Sequence, residues 1–200
     1  MSSELRIGLI ALVGTVALYF GLSSILPASW RIESQAQIEA PATQLVPLFA
    51  DFRSWQEWTT LSGTARTDTK VEVEGDPGKP GHRIVWRSNQ NEAALQLVAV
   101  REDGVDYEFT SRLGKEGKQD QIGRGSIRAV AAVGGQGTVV TWSDESSVGT
   151  FVERWFLWFG VLQEKAKEFQ QASLQKLKQR AEGKLAPTAE QPKQAPSGTK

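Results

Sequence analysis

Few side chains in this sequence are suited to chemistry. The 200 residues contain one histidine, His82, and no cysteine. Without cysteine there are no disulfides, thiolate nucleophiles, iron–sulfur ligands or thiolate zinc sites, and a single histidine excludes a multi-histidine metal centre. His82 follows the Pro80-Gly81 turn at a strand start. A general base needs an oriented partner and a reacting group within reach; neither accompanies His82, which reads as structural or exposed. Glu92, Glu108 and Asp144 are the acid–base candidates among the strand carboxylates. Each has polar neighbours and reads as part of a sheet's wet face. The glycine-rich stretches Gly114 to Gly117 and Gly134 to Gly137 lack the following helix and Lys-Ser/Thr of a phosphate loop and read as hairpin loops. No catalytic residue, metal site or cofactor is expected.

What remains is apolar. Trp58, Trp86, Tyr107, Phe109 and Trp142 fall on positions able to face inward, and Phe159 and Leu162 lie at the start of the last helical pattern. Large rings with one polar handle suit the wall of a ligand cavity, and equally suit an ordinary core. Arg154 to Leu162 is unusual: seven of nine residues are apolar, four of them aromatic. Either these are the first turns of the last helix, under loops, or Trp155, Phe156 and Trp158 form a membrane-contacting patch or gate.

The elements that must position these residues follow from periodicity. Ile32, Ser34, Ala36 and Ile38 alternate with Arg31, Glu33, Gln35 and Gln37, a strand with one wet face. Pro41 suits a helix's first turn ahead of Leu45, Val46, Leu48 and Phe49, while Pro47 should shorten or kink that helix. Trp55 and Trp58 share one face of a second short helix. Strand patterns follow at Val71 and Val73, His82 to Ser88, Glu92 to Arg101, Val105 to Leu113, Gln121 to Val133 and Thr138 to Glu145, separated by short polar or glycine-containing loops. Leu162, Ala166, Phe169, Ser173 and Leu177 then mark one long helix ending near Gly183. An antiparallel sheet with one apolar face and one amphipathic helix is expected to curl around that helix, an α+β grip. The space between them is expected to hold a cavity.

Residues 1–29 and 183–200 flank this domain of residues 30–182. Ile7 to Ala28 carry no charge, and about twenty helical residues cross a hydrocarbon core. Tyr19 and Trp30 suit its interfaces. The stretch is longer than the apolar region of a cleaved signal, and Leu26-Pro27-Ala28 is a poor cleavage site, so a single-pass anchor is expected. Arg6 and Arg31 nearly balance across it; the expectation leans to a globular part outside the cytoplasm. The tail, with three prolines and scattered charge, is expected to be disordered. The 23 basic and 23 acidic side chains cancel, which argues against a nucleic-acid partner. The expected partners are a lipid bilayer and an apolar small molecule.

The strand ending Ile38-Glu39-Ala40-Pro41, the helix Leu45-Val46-Pro47-Leu48-Phe49-Ala50-Asp51-Phe52, Trp55 with Trp58, Gly137-Thr138-Val139-Val140-Thr141-Trp142 and Leu174-Gln175-Lys176-Leu177-Lys178 come in a telling order. From Trp30 to about Ala181 this resembles the START-like, or SRPBCC, superfamily of polyketide cyclase/dehydrase and lipid-transport type. The resemblance implies a helix-grip fold. It does not choose among carriers, hormone receptors, quinone-binding proteins and cyclases. Thr59-Thr60 stand where related sequences usually place Ser-Pro, in a loop that often rims the cavity.

Overall fold

The structure is a computed structural model that describes residues 3–59, 69–89, 91–113 and 119–183. The loop around Thr60 and Gly63, the expected hairpin loop Gly114 to Gly117 and the expected disordered tail beyond Gly183 fall outside these residues. Helix α1 (Ser3–Ile25) leads into strand β1 (Ser29–Ile38), followed by α2 (Ala42–Ala50) and α3 (Phe52–Trp58). Strands β2 (Lys70–Glu74), β3 (Arg83–Arg87), β4 (Asn91–Arg101), β5 (Gly104–Leu113), β6 (Gln119–Ala131) and β7 (Thr138–Ser147) come next, then α4 (Phe151–Trp158) and α5 (Val161–Ala181).

The strands form one antiparallel sheet in the order β1-β7-β6-β5-β4-β3-β2. Six of them are joined as successive hairpins, and β1 closes the far edge against β7, so the chain's first strand is brought next to its last. Register slips at Leu97/Ala99 and at Phe109/Thr110 place bulges in the middle strands, where an unpaired residue increases bend and twist. The sheet is thus curved, with α5 along β1 on its inner face; Lys178 donates to the Gln37 carbonyl at 2.9 Å. The expected α+β helix grip is the observed fold.

Strand alternation sorts the faces. On β7, Thr138, Val140, Trp142 and Asp144 are buried. Facing them on β5 and β6 are Val105, Tyr107, Ile127 and Ala129. From the open side, α2 and α3 contribute Leu45, Phe49, Phe52, Trp55 and Trp58, all at most 1% exposed. Burial of each such large side chain stabilises the fold by roughly 1.5–3 kcal/mol. The outer face carries the charge: Arg87 pairs with Glu92 at 2.9 Å, and Arg112 reaches the same carboxylate at 2.8 Å.

The long closing helix expected from Leu162 to Leu177 is α5, and the aromatic segment before it is a separate helix, α4. Gly160 adopts φ +75°, a left-handed conformation that costs glycine little, and breaks the run between α4 and α5. Thr150 and Glu153 form a reciprocal capping box that starts α4 independently. The aromatic segment is therefore its own helix rather than the first turns of α5.

Helix α1 is long and apolar enough to cross a membrane by length and composition, and little of it is buried in the protein. A signal sequence meets the same length and composition criteria. Its last turns pack on α4: Tyr19 stacks on Trp155 with centroids 5.6 Å apart, and Phe20 meets Phe151 edge-on at 5.2 Å. Arg154 donates to the Ser23 and Ser24 carbonyls, both at 3.3 Å. These carbonyls belong to the last helical turn, which lacks intrahelical partners, so a cation there is doubly favoured.

Candidate functional site

The inner face is dominated by rings. Trp55 touches Trp58 at 5.1 Å, Tyr107 at 5.5 Å and Trp142 at 5.7 Å. Trp58 also meets Trp142 at 5.7 Å, and Trp142 meets Phe169 of α5 at 5.7 Å. Most of these pairs are edge-on, the arrangement favoured by the ring quadrupole.

Of the residues expected to line a cavity, Trp58, Tyr107 and Trp142 lie in this fully buried cluster. They form the packed centre of the grip. Trp86 and Phe109 are half-buried and pack on the cluster's edge, as does Phe169, which sequence reasoning placed only on the helix stripe. Leu162 is also half-buried. Phe159 is not brought to the inner face. The turn at Gly160 ends α4 before α5 enters the grip, leaving Phe159 69% exposed with its ring stacked on Trp155 at 6.1 Å.

In the aromatic segment, Phe156 and Trp158 are 49% and 60% exposed. Trp155 is half-buried against α1 and so contacts protein on one side.

One polar group inside the grip was misread from the sequence. Asp144, taken for the wet face because Ser143 and Glu145 flank it, is 7% exposed and points inward. Strand parity decides this: it stands two residues after Trp142, on the same side of β7. Tyr107 donates to its Oδ1 at 2.5 Å, and Gln170 of α5 donates to its Oδ2 at 2.8 Å. Trp142 Nε1 in turn donates to the Tyr107 oxygen at 2.5 Å. Burial raises the Asp144 carboxyl above its ordinary value of 3.8, against the opposing pull of the hydrogen bonds from Tyr107 and Gln170. Burial, and then the neighbouring Asp144 charge, push the Tyr107 phenol well above its ordinary 10.0, so it remains a donor.

The other two carboxylates are as read. Glu92 is in the outer ion-pair network, and Glu108 is half-buried on the same parity as Asp106, which pairs with Arg101. Neither shares a face with Asp144, so the three do not make a paired-carboxylate site.

His82 is buried and structural. Its Nε2 accepts from the Phe52 amide at 3.0 Å, its Nδ1 faces the carbonyls of Glu74 and Gly75 at 3.0 and 3.2 Å, and its ring stacks on Phe52. It ties the start of α3 to the turn before β3. Among the described residues no group of acidic or histidine side chains is disposed to hold a metal ion.

The strand register also fixes which end of the grip is which. Ser29 pairs with Ser147, Gly123 with Ser146, Phe109 with Gly123, and Leu95 with Phe109. Trp86 pairs with Ala93, two residues before Leu95. The half-buried Trp86 and Phe109 thus lie towards the end of the sheet from which α1 and α4 depart.

Residues 29–182 match the family described as polyketide cyclase / dehydrase and lipid transport. No curated protein matches the chain. Among solved structures, the AHSA1 protein from Silicibacter pomeroyi superposes with a TM-score of 0.53 at 11% identity, over 78% of this chain and 100% of that one. Major latex-like protein 151 from Panax ginseng gives 0.47 at 14% identity, over 78% of this chain and 99% of that one. At such identities the likeness is one of fold. With its seven-stranded grip and a family match spanning nearly all of the described globular part, the chain belongs to the polyketide cyclase / dehydrase and lipid transport family.

Proposed function

We propose that this protein is a membrane-tethered binding module for an apolar small molecule, a lipid, isoprenoid or polyketide-like compound. The ligand enters at the end of the grip nearest α1 and α4. One observation carries the reading: Trp86, Phe109 and Phe169 are only half-buried at the edge of a ring cluster that is otherwise sealed. Half-covered rings beside a closed core are the surface an apolar ligand completes. The exposed apolar side chains of α4 support a bilayer partner at the same end, since Val152, Phe156 and Trp158 are each about half exposed or more beside the apolar α1. Only residues 26–28 separate α1 from β1, which holds the domain close to whatever α1 is embedded in.

The packing favours one rival. Trp55, Trp58, Trp142 and Tyr107 fill the centre of the hollow, as they would in a tethered scaffold that binds nothing. Solvent extraction of the full chain, purified in lipid nanodiscs, followed by mass spectrometry separates the two. A ligand module yields an apolar compound in stoichiometric amount. An extract identical to that of empty nanodiscs overturns the reading and leaves the scaffold.

A further inference from the structure

Among the described residues, the arginines on the strands differ in one respect. Arg83, Arg87, Arg101, Arg112, Arg124 and Arg128 each form an ion pair with a carboxylate. Arg31 of β1 forms none with any described residue. It stands beside Glu145 of β7 in register, and Glu145 stands beside Arg124 of β6. Arg124 takes that carboxylate. Two positive charges against one negative leave this corner of the sheet with an excess positive charge, carried by Arg31.

The corner is also hollow. An open pocket of about 490 Å³ lies there, and its lining includes Ser29, Trp30, Arg31, Arg124, Glu145 and Ser147. Ser29 and Ser147 are register partners, each two residues along its strand from Arg31 and Glu145. All four side chains therefore stand on the outer face. Ile32 and Asp144, on the opposite parity, are buried inside the grip. Both strand ends lead straight into the apolar helices: residues 26–28 join α1 to Ser29, and residues 148–150 join Ser147 to α4. With α1 across a bilayer, connections that short cannot carry the corner far from the polar layer of headgroups.

A guanidinium presents paired, charge-assisted donors to phosphate oxygens, and neighbouring hydroxyls add further donors. An exposed arginine on a wet face needs no partner. What sets Arg31 apart is the hollow beside it, hydroxyls on the same face, and a place at the end of the sheet that α1 and α4 share. We infer that this pocket seats the headgroup of an anionic phospholipid, with its phosphate held by Arg31 and the hydroxyls of Ser29 and Ser147. The single uncompensated positive charge matches a headgroup with one net negative charge. The site lies on the outer face and is separate from the apolar-ligand site inside the grip; it rests only on the tether in the reading above.

The experiment embeds the full chain in nanodiscs of equal parts phosphatidylglycerol and phosphatidylcholine and weighs, by native mass spectrometry, the lipids that the released protein retains. Phosphatidylglycerol is expected to be retained over phosphatidylcholine by about fivefold, the scale of one cation at a membrane surface. Arg31→Gln, at an exposed position, should bring that ratio towards one. Arg53→Gln removes the same charge from an exposed position on α3, which packs on β3 at the far side of the sheet, and should leave the ratio unchanged. Equal retention of the two lipids by the unaltered chain, an unchanged ratio in Arg31→Gln, or the same loss in both variants overturns the site while leaving the tether intact. In a second arm the chain in detergent is incubated with inorganic phosphate, and no adduct is expected. A phosphate adduct that Arg31→Gln abolishes would make this a site for free phosphate and overturn the lipid assignment. A chain that does not embed in the nanodiscs overturns the tether, and the site with it.

Discussion

The phenol of Tyr107 and the carboxyl of Asp144 are joined by a 2.5 Å hydrogen bond although a whole strand lies between theirs. The strand is β6, and the register partner of both residues on it is Gly125. A side chain there would occupy the space in which the two meet: a Cβ built on Gly125 falls inside the contact distance of Asp144 Oδ1 and of the Tyr107 Cζ and hydroxyl. The glycine is required for lack of volume and not for its backbone freedom, since its φ is ordinary. Gly125→Ala is expected to destabilise the protein by about 1–3 kcal/mol through overpacking. Urea unfolding of the full chain checks this; an unchanged midpoint refutes the steric account.

The raised Asp144 carboxyl has a pH signature. A group that holds its proton more tightly when folded contributes most below its unfolded value, near 3.8, and loses that contribution as the pH rises through the folded value. At neutral pH the buried charge is therefore a net cost. Asp144→Asn removes the ionisation, and Gln170 can turn its unpaired Oε1 towards the new amide. The variant is expected to gain stability relative to the unaltered chain on going from pH 4 to pH 7. Unfolding midpoints at the two pH values test it, and a relative change of the opposite sign contradicts the assignment.

Trp142→Phe keeps a ring against Trp55, Trp58 and Phe169 but removes the indole N–H that donates to Tyr107. A loss of about 1–3 kcal/mol is expected, from one hydrogen bond and a smaller buried ring. Double-mutant analysis with Tyr107→Phe should show the two effects to be non-additive, because they share that hydrogen bond.

His82→Ala leaves the buried Phe52 amide without its acceptor, at a cost of about 1–3 kcal/mol. Apolar-ligand occupancy in variant molecules that remain folded should be unchanged. A selective loss of occupancy in folded protein would instead make the ring part of the binding machinery.

Arg154→Ala and Trp155→Ala remove the two main ties between α4 and the end of α1. Limited proteolysis within residues 26–28 is expected to quicken in both variants, with the domain's own unfolding midpoint little altered. Equal cleavage rates in all three proteins would show that these contacts do not hold the two helices together.

Much of the architecture was legible before any coordinates, because strand alternation and helical stripes are local and this chain follows them closely. The seven strands, two short helices and amphipathic closing helix can be read from Ile32, Ser34, Ala36 and Ile38 through to Leu177. Whether Arg154 to Leu162 begin that helix stays open in the sequence, and the turn at Gly160 decides it. A glycine inside an apolar helical run is tolerated often enough that its position alone does not reveal a left-handed turn.

The site was half legible. Rings could be assigned to the inside, but not which of them would close on one another and which would stay half-covered. Phe159 was misplaced by the unseen turn. Asp144 carried a usable signal, its parity with Trp142, Val140 and Thr138, which the polar neighbours Ser143 and Glu145 outweighed.

By itself the sequence determined that there is no thiol or multi-histidine chemistry, that one long apolar segment precedes a mixed domain, and in what order the elements come. These follow from residue type and from periods of two and 3.6, which need no knowledge of distant neighbours. Only the tertiary structure decided that Tyr107 donates to Asp144 across Gly125, that Trp55 and Trp58 close on Trp142, and that α1 rests on α4. Each of those depends on which strands lie side by side and how far the sheet curls, and β1 meets β7 across more than a hundred residues of chain. No local pattern encodes a neighbour that distant.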